Sequence, residues 1–348
     1  MTPAIDWLDG RRILQAPMAG AGGADLAIAV LRGGGVGSLP CALLSADQAD
    51  SQVAEVRAAA DGPLNLNFFC HSLGPVPDET AWHALLAPYY AEYGTSPPAG
   101  PVPVRMPFDE AMCAMVERTR PEIVSFHFGL PDAALLARVR TSGARILSSA
   151  TSVEEARWLA AQGVDAVIAQ GFEAGGHSAR FLPAAPGTEM GLIALLPQIV
   201  DAIDLPVIAA GGIGDARGIA AAFALGASAV QLGTAFLHCP ESLAAPAHRA
   251  LLTGAAAEAT RFTNLLTGRP ARGLANRLIE ELGAINPAAP AFPHAATALI
   301  PLRAAAEAQG RSDFSSMWSG QAARLGQALP AEMLTRHFAA CAAEGKSP

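Results

Sequence analysis

The residues best suited to chemistry lie in one glycine-rich stretch, residues 171–180, which contains adjacent glycines, a histidine and a serine. Gly175 and Gly176 lack side chains, so the backbone there can come close to a flat ligand. His177 follows directly, and a histidine beside such a loop is a candidate base, acid or anion partner near neutral pH. A solvated histidine on an ordinary connecting loop is the alternative, and this stretch alone does not decide between the two.

Two further glycine segments come directly after short apolar runs. One is Gly211-Gly212-Ile213-Gly214, and the other is Gly233 with Thr234. Small residues at such positions let a phosphate reach backbone N–H groups and the N-terminus of the following helix. Two such loops in succession predict a phosphate site, against the alternative of two tight turns with a helix cap.

Several polar side chains lie near the ends of other apolar runs. Asn65, Asn67 and Gln170 could bond the polar edge of a planar ring, and Met18 belongs to a Pro-Met-Ala-Gly turn that would line the same opening. Each amide alone could instead satisfy buried backbone groups. A phosphate site together with a flat, polar-edged ring, and with neither a metal motif nor a nucleophile motif, favours FMN as the cofactor.

Other chemistries find little support in the sequence. Ser178 follows a glycine and a histidine, but the closing glycine of a G-x-S-x-G elbow is absent, which argues against a serine hydrolase. The histidines form no HExxH motif and the five cysteines no CxxC motif, so no metal site is predicted. His127 and Ser178 remain as candidate substrate contacts.

Composition limits the partners. The net charge is −8 and no basic cluster occurs, which argues against nucleic acid. No apolar run reaches the roughly 18 residues that would cross a membrane, and the N-terminal residues lack the pattern of a signal peptide. We therefore expect a cytoplasmic protein that acts on a small molecule and that could form a homo-oligomer.

The elements that must position these residues are about eight short apolar strands that alternate with helices. This pattern predicts a parallel α/β sheet, and eight units favour a closed (β/α)8 TIM barrel over a doubly wound sheet, whose GxGxxG fingerprint is absent. In such a barrel the site lies at the C-terminal strand ends, where the glycine segments fall. We expect the barrel over residues 1–240, a helical lid or substrate domain without strands inserted at the C-terminal face over 241–311, and closing helices over 312–348. A proline-rich interruption at 75–107 is predicted to run over the surface.

The motifs together resemble those of the nitronate monooxygenase family of FMN-dependent (β/α)8 enzymes, and the resemblance covers nearly the whole chain. The matching blocks are Gln-Ala-Pro-Met-Ala-Gly at 15–20, Asn-Leu-Asn-Phe-Phe at 65–69, Gln-Gly-Phe-Glu-Ala-Gly-Gly-His at 170–177, Ala-Gly-Gly-Ile-Gly-Asp at 210–215 and Gln-Leu-Gly-Thr-Ala-Phe at 231–236. One departure is Ala179, where the family usually has glycine.

The resemblance implies a reaction and assigns roles. Alkyl nitronates would be oxidised with O2 to a carbonyl compound and nitrite. FMN would be bound by Gln170, Gly175, Gly212, Gln231, Leu232, Gly233 and Thr234, with Asn65 or Asn67 near the ring. His177 would be the catalytic histidine, either holding the nitronate when protonated or removing a proton from a nitroalkane when neutral. Two alternatives stay open: an NAD(P)H-dependent flavin reductase of quinones or enoyl thioesters, and a non-catalytic flavin-binding protein.

Overall fold

The computed structural model describes residues 5–100, 102–185 and 187–344, and eight of its strands form one parallel barrel. In chain order these strands are β1 (Ile13–Gln15), β2 (Gly37–Pro40), β3 (Leu64–Phe69), β4 (Ile123–His127), β5 (Arg145–Ala150), β6 (Ala166–Gln170), β8 (Val207–Ala210) and β9 (Ala229–Leu232). The sheet closes between β1 and β2, where the Gln15 N–H donates to Val36 O over 3.0 Å and the Val36 N–H donates to Ile13 O over 2.9 Å. The predicted (β/α)8 barrel is therefore confirmed, and a doubly wound sheet is excluded.

Most of the helices connect the barrel strands, and their starts follow the capping residues in the sequence. The helices are α1 (Ala24–Arg32), α2 (Ala46–Ala59), α3 (Thr80–Tyr93), α4 (Glu110–Thr119), α5 (Ala133–Thr141), α6 (Val153–Ala161), α7 (Leu192–Ala202), α8 (Ala216–Ala224), α9 (Thr234–Leu237), α10 (Pro246–Thr253), α11 (Arg277–Leu282), α12 (Ala295–Ala308) and α13 (Ala331–Glu344). Ser45 caps α2 in a complete capping box, and the Asp215 carboxylate accepts from the N–H groups of Arg217 and Gly218 at the start of α8.

The barrel strands are buried on both faces. Leu14, Leu147 and Ile208 pack together in one buried cluster, while Val167 and Val230 belong to the larger cluster shared with the surrounding helices. A strand covered on both sides needs apolar residues at nearly every position, which explains why these strands are continuous apolar runs in the sequence.

The proline-rich interruption at 75–107 is not the surface excursion that the sequence predicts. Its helix α3 packs against α12, more than 200 residues later, and Trp82 and Leu86 are fully buried in a second hydrophobic core. The Trp82 indole N–H donates to the Ala295 carbonyl over 3.3 Å. Pro88 lies within α3 and the other prolines lie outside it, but the helix also carries one tryptophan and three tyrosines, which need a core to bury them.

Residues 241–311 also differ from the expected helical domain, because they contain two strands, β10 (Thr260–Thr263) and β11 (Ala271–Leu274). Both pair in an antiparallel sheet of order β10-β11-β7, in which β7 is Gly176–His177. The strands are four residues long and carry arginine and glycine, so they lack the apolar pattern of a strand. Through this sheet the histidine segment is paired with the region of the chain after residue 240.

The closing helices predicted at 312–348 fall within the described residues only up to 344. Helix α13 in this stretch packs on α1 and α8 of the barrel. The preceding segment instead crosses the barrel opening, where Ser319 N–H donates to Arg272 O and Gln321 N–H to Glu173 O. Within the described ranges no helix is long and apolar enough to cross a membrane, and no cluster of His, Cys, Asp and Glu could hold a metal.

Candidate active site

A cavity of about 480 Å³ opens at the C-terminal ends of the barrel strands, between the barrel and the second core. This volume is typical of a ligand site. Most of the residues singled out in the sequence line it: Met18, Asn67, His127, Gln170, Gly175, Gly176, His177, Gly211, Gly212, Gln231, Gly233 and Thr234. The structure thus brings together segments that are more than 200 residues apart in the chain.

One end of the cavity consists largely of backbone. Gly211 and Gly212 have φ angles of +105° and +69°, a region that side chains other than glycine rarely adopt. A Cβ atom on Gly175 would lie 2.5 Å from the Gly320 nitrogen, so only glycine allows the segment over the opening to approach. At the edge of the same segment the Gly320 N–H donates to Thr234 Oγ1 over 2.9 Å.

Two buried polar atoms beside this backbone have no hydrogen-bond partner within the described part of the chain. They are Gln231 Oε1 and His248 Nε2, and their residues are 9% and 8% exposed. In the tautomer that carries its ring proton on Nδ1, His248 Nε2 has a lone pair that can accept a hydrogen bond. An unpaired buried polar atom costs about 1–3 kcal/mol, so both atoms are suited to a polar ligand in the cavity.

The two asparagines of β3 occupy different depths in the barrel. Asn67 lines the cavity, and its amide donates to Ser125 Oγ over 2.9 Å. Asn65 is 1% exposed, bonds Ser38 Oγ and is absent from the cavity wall. The side chains share the inner face because residues two apart in a strand point the same way, but Asn65 lies one layer deeper.

Two other candidates of the sequence also lie off the cavity wall. Leu232 packs in the hydrophobic layer between strands and helices, and its neighbours Gln231 and Gly233 line the cavity instead. Ser178 is absent from the wall of the large cavity and lines a small adjoining crevice, which also includes His177 and Gln170; its N–H donates to the Pro270 carbonyl over 2.9 Å. Ser178 therefore lies near His177 without facing the large cavity.

Gln170 holds the histidine segment in place. Its amide nitrogen donates to the His177 carbonyl over 3.1 Å, and its oxygen accepts from the Ala179 N–H over 2.7 Å. His127, at the end of β4, donates through Nε2 to the same carbonyl over 3.2 Å. Both side chains therefore fix where the His177 ring sits.

The hydrogen bonds of His177 define its tautomer. The Thr267 hydroxyl donates to the Arg269 carbonyl over 3.2 Å, so its oxygen accepts from His177 Nε2 over 2.9 Å. This places the ring proton on Nε2 and leaves Nδ1 with its lone pair, an assignment that follows from the partners.

His177 is also buried and neutral. Burial lowers its pKa well below 6.5, and the charges of Arg105, His127, Arg269 and His71 add to this effect. A neutral imidazole with a free Nδ1 is suited to accept a proton. The expectation that a protonated His177 holds an anion does not fit this environment, and its place in strand β7 shows that it is not a solvated loop residue.

An aromatic wall, which the sequence did not reveal, surrounds the imidazole. The ring centroids of Phe69, Phe128, Phe292 and Trp318 lie 5.4 to 6.0 Å from that of His177. Such a wall excludes water from the proton-accepting nitrogen. Phe292 and Trp318 come from segments after residue 240 that carry no strand-end motif, so no local pattern could place them here.

Arg105, Thr267, Arg269 and His248 also reach the site without a signal in the sequence. Arg105 comes from the proline-rich interruption, and the other three come from the region after the last barrel strand. Their positions depend on long-range packing of segments outside the barrel, which no spacing rule describes.

The chain matches the family model described as nitronate monooxygenase over residues 4–339. It belongs to the nitronate monooxygenase family. Curated relatives include nitronate monooxygenases of Paraburkholderia phytofirmans, 45% identical over 92% of this chain and 89% of the relative, and of Pseudomonas aeruginosa, 43% identical over 93% and 94%. The resemblance that the motifs indicate is thereby confirmed, and with it an oxidoreductase.

Two solved structures share the fold of this chain over nearly its whole length. A nitroalkane oxidase from Streptomyces ansochromogenes is 40% identical, with a TM-score of 0.88 and 96% of each chain covered. FabK from Thermotoga maritima is more distant, 25% identical with a TM-score of 0.71, covering 99% of this chain and 96% of that one.

Proposed function

We propose that this enzyme oxidises alkyl nitronates with O2 to a carbonyl compound and nitrite, with FMN as its cofactor. The observation that carries the proposal is the juxtaposition, in one cavity, of a backbone-lined end and a neutral, buried His177. Family membership and the likeness to a nitroalkane oxidase support the same substrate class.

The residues fit FMN. Gly211, Gly212 and Gly233 form the backbone cradle proposed for the phosphate, while the unpaired Gln231 Oε1 and His248 Nε2 are acceptors for ligand hydroxyl or N–H groups. Asn67, Met18 and Gly175 to Gly176 would flank the ring, with Asn67 a better candidate than Asn65 because only Asn67 lines the cavity. When bound, FMN would supply the electron-acceptor chemistry that couples nitronate oxidation to O2.

His177 would act on substrates that still carry the proton. Its Nδ1 lone pair is available as a base, Thr267 keeps the ring proton on Nε2, and Gln170 with His127 fixes the backbone that carries the ring. The aromatic wall keeps water from competing for Nδ1. Nitronates arrive without that proton, so we expect His177 to matter less for them than for nitroalkanes.

We also propose that residues 75–107 and 241–311 together act as a substrate-side cover on the barrel. Helices α3 and α12 form their shared hydrophobic core, and Leu299 and Phe314 of this core line the cavity. The cover contributes side chains, whereas the barrel contributes mainly strand ends and backbone.

The test uses the purified protein under anaerobic conditions. A flavin spectrum, bleached on mixing with a nitronate and recovered with O2 together with nitrite release, is the expected result. Rapid bleaching by NADH or NADPH without nitronate turnover would instead assign an NAD(P)H-dependent reductase. A bound flavin that neither nitronate nor NAD(P)H reduces would contradict both activities and leave a flavin-binding protein.

A further inference from the structure

The side of the cavity next to His177 carries a guanidinium, that of Arg105, which forms no ion pair with a described carboxylate, although Glu173 and Glu307 line other parts of the cavity. Arg105 lines the cavity, its Nε atom is buried without a hydrogen-bond partner, and no described carboxylate lies within 4.0 Å of its guanidinium. Arg303 lines the same cavity from α12, also without an ion-pair partner among the described residues. A partly buried charge without a partner is costly, so its presence points to an anionic ligand.

The backbone of Arg105 is held by a hydrogen bond, and its guanidinium lies near two aromatic rings. The His71 ring donates through Nε2 to the Arg105 carbonyl over 3.0 Å, which fixes the backbone at the end of the interruption. The guanidinium lies 5.5 Å from the centre of the Phe69 ring and 5.7 Å from that of Phe292. Contacts with aromatic faces stabilise the cation and reduce its freedom.

Phe69 and Phe292 are the same rings that border His177, which places the guanidinium and the imidazole on one side of the cavity. Burial and the charge of Arg303 lower the Arg105 pKa to about 10, so the guanidinium remains charged at neutral pH. The Arg105 guanidinium can therefore hold an anion, and its positive charge also lowers the pKa of His177 and so helps to keep the imidazole neutral.

We propose that Arg105 is the anion-binding residue of this site and holds the nitro-group oxygens of the substrate beside His177. The proposal rests on the proposed function and deepens it by assigning the residue that binds the reacting group. A guanidinium presents N–H donors in a planar fork, which matches the two oxygens of a nitronate as it matches a carboxylate.

The proposal predicts different effects on the two substrate forms. A nitronate is an anion before it reacts, so removing Arg105 weakens its binding and raises KM. A nitroalkane becomes negative only as the proton leaves, so the same change lowers kcat and leaves KM nearly constant. The charged and titratable groups that act on His177 are Arg105, His127, Arg269 and His71, so removing one cation also shifts the His177 pKa upward.

The experiment compares the FMN-loaded wild type with Arg105→Met, Arg105→Lys and the control Arg118→Met, which removes an exposed arginine paired with Asp50 on the outer helices. Binding of inert nitrate and acetate is followed by the change in the flavin spectrum, and nitronate and nitroalkane kinetics are measured in parallel. Because charge-assisted hydrogen bonds are lost, we expect Arg105→Met to weaken anion and nitronate binding by about 10- to 100-fold. Arg105→Lys should recover part of this loss, and Arg118→Met should behave as wild type.

Unchanged anion binding in a folded Arg105→Met protein would overturn the proposal. A change confined to the flavin reduction potential would also overturn it, because the guanidinium would then act on the cofactor rather than on substrate. Inert-anion binding requires no turnover, so it tests Arg105 even if the protein proves inactive on nitronates. Since Arg105 makes no side-chain hydrogen bond or ion pair in the described chain, Arg105→Met should keep the thermal stability of wild type.

Discussion

One end of the cavity is lined mainly by backbone groups, and the other mainly by side chains. At one end Gly211, Gly212 and Gly233 offer backbone, and among the described residues the buried side-chain atoms of Gln231 and His248 there lack a partner. At the other end His177 and Arg105 lie beside the same aromatic side chains, Phe69 and Phe292, and offer side chains to the cavity. Backbone loops suit a constant partner such as a cofactor phosphate, whereas side chains can change without disturbing the barrel. We infer that substrate choice varies at the second end while cofactor binding stays fixed at the first.

The difference has a structural basis. The glycine loops follow β8 and β9, so the barrel itself positions them, and Asp215 anchors the first loop by capping α8. The His177 end depends on the pairing of β7 with β11 and on the packing of α3 against α12. Damage to the second core should therefore affect catalysis before it affects FMN binding.

The largest expected effect is at the side-chain end. His177→Asn should lower kcat/KM for a neutral nitroalkane by about 10² to 10⁴, the usual value of a general base, and leave FMN bound. For the preformed nitronate the loss should be smaller. The measurement is kcat/KM for one nitroalkane and its nitronate from pH 6 to 9, with His337→Asn, an exposed residue of α13, as the control.

The pH dependence tests the state of His177 independently. Its pKa is lowered well below 6.5, so the base form persists across pH 6 to 9 and its ionisation should not reduce activity on the nitroalkane in that range. A loss of activity on acidification with a midpoint near 6.5 would show that the imidazole titrates as if exposed. If His177→Asn were as active as wild type on both the nitroalkane and the nitronate, His177 would not be the base, and His127 would be the next candidate.

The second-largest expected effect is on FMN binding at the end of the cavity formed by the glycine loops. Gly233→Asp should weaken FMN binding by about 100-fold or more, because it sets a carboxylate against the cofactor phosphate, and like charges in contact cost several kcal/mol. Gly233 is a better target than Gly212, since its φ of −110° suits any residue whereas Gly212 has a left-handed backbone. A Cβ here would lie 3.3 Å from Ala16 Cβ, a tight contact that requires a small local shift, so Gly233→Ala is the control that measures the effect of the added methyl group without the charge.

Flavin binding is measured by titrating the apoprotein with FMN and with riboflavin, which has no phosphate. The aspartate should penalise FMN much more than riboflavin. An equal loss for both ligands would mean that the loop is distorted and that the phosphate lies elsewhere.

The smallest expected effect concerns Gln231, whose Oε1 atom has no hydrogen-bond partner among the described residues. Gln231→Met should weaken FMN binding by about 3- to 10-fold, the value of one net hydrogen bond, and at the same time raise the melting temperature of the apoprotein. Both changes follow because Gln231 Oε1 is unsatisfied without a ligand. Gln162→Met, at the exposed end of α6, is the control. A variant that destabilises the apoprotein and leaves FMN affinity unchanged would show that Gln231 serves the fold.

The sequence by itself determined the barrel and the location of the site within it. Strands buried on both faces must be apolar at almost every position, so their number and order can be read without knowing their partners. Parallel strands all end at the same face, so the residues after them, such as Gly211, Gly233 and His177, had to meet. Helix starts such as Ser45 and Asp215 are local as well, because a cap bonds N–H groups within its own first turn.

Only the tertiary structure decided the second core, the state of His177 and the choice between Asn67 and Asn65. Trp82 bonds Ala295 across 213 positions, and β7 pairs with a strand that begins more than 90 residues later, so no local pattern contains these contacts. The neutrality of His177 arises from the burial and the cations that this packing brings to it. Asn65 and Asn67 share a face of one strand, and their difference is one of depth, which the curvature and closure of the barrel set.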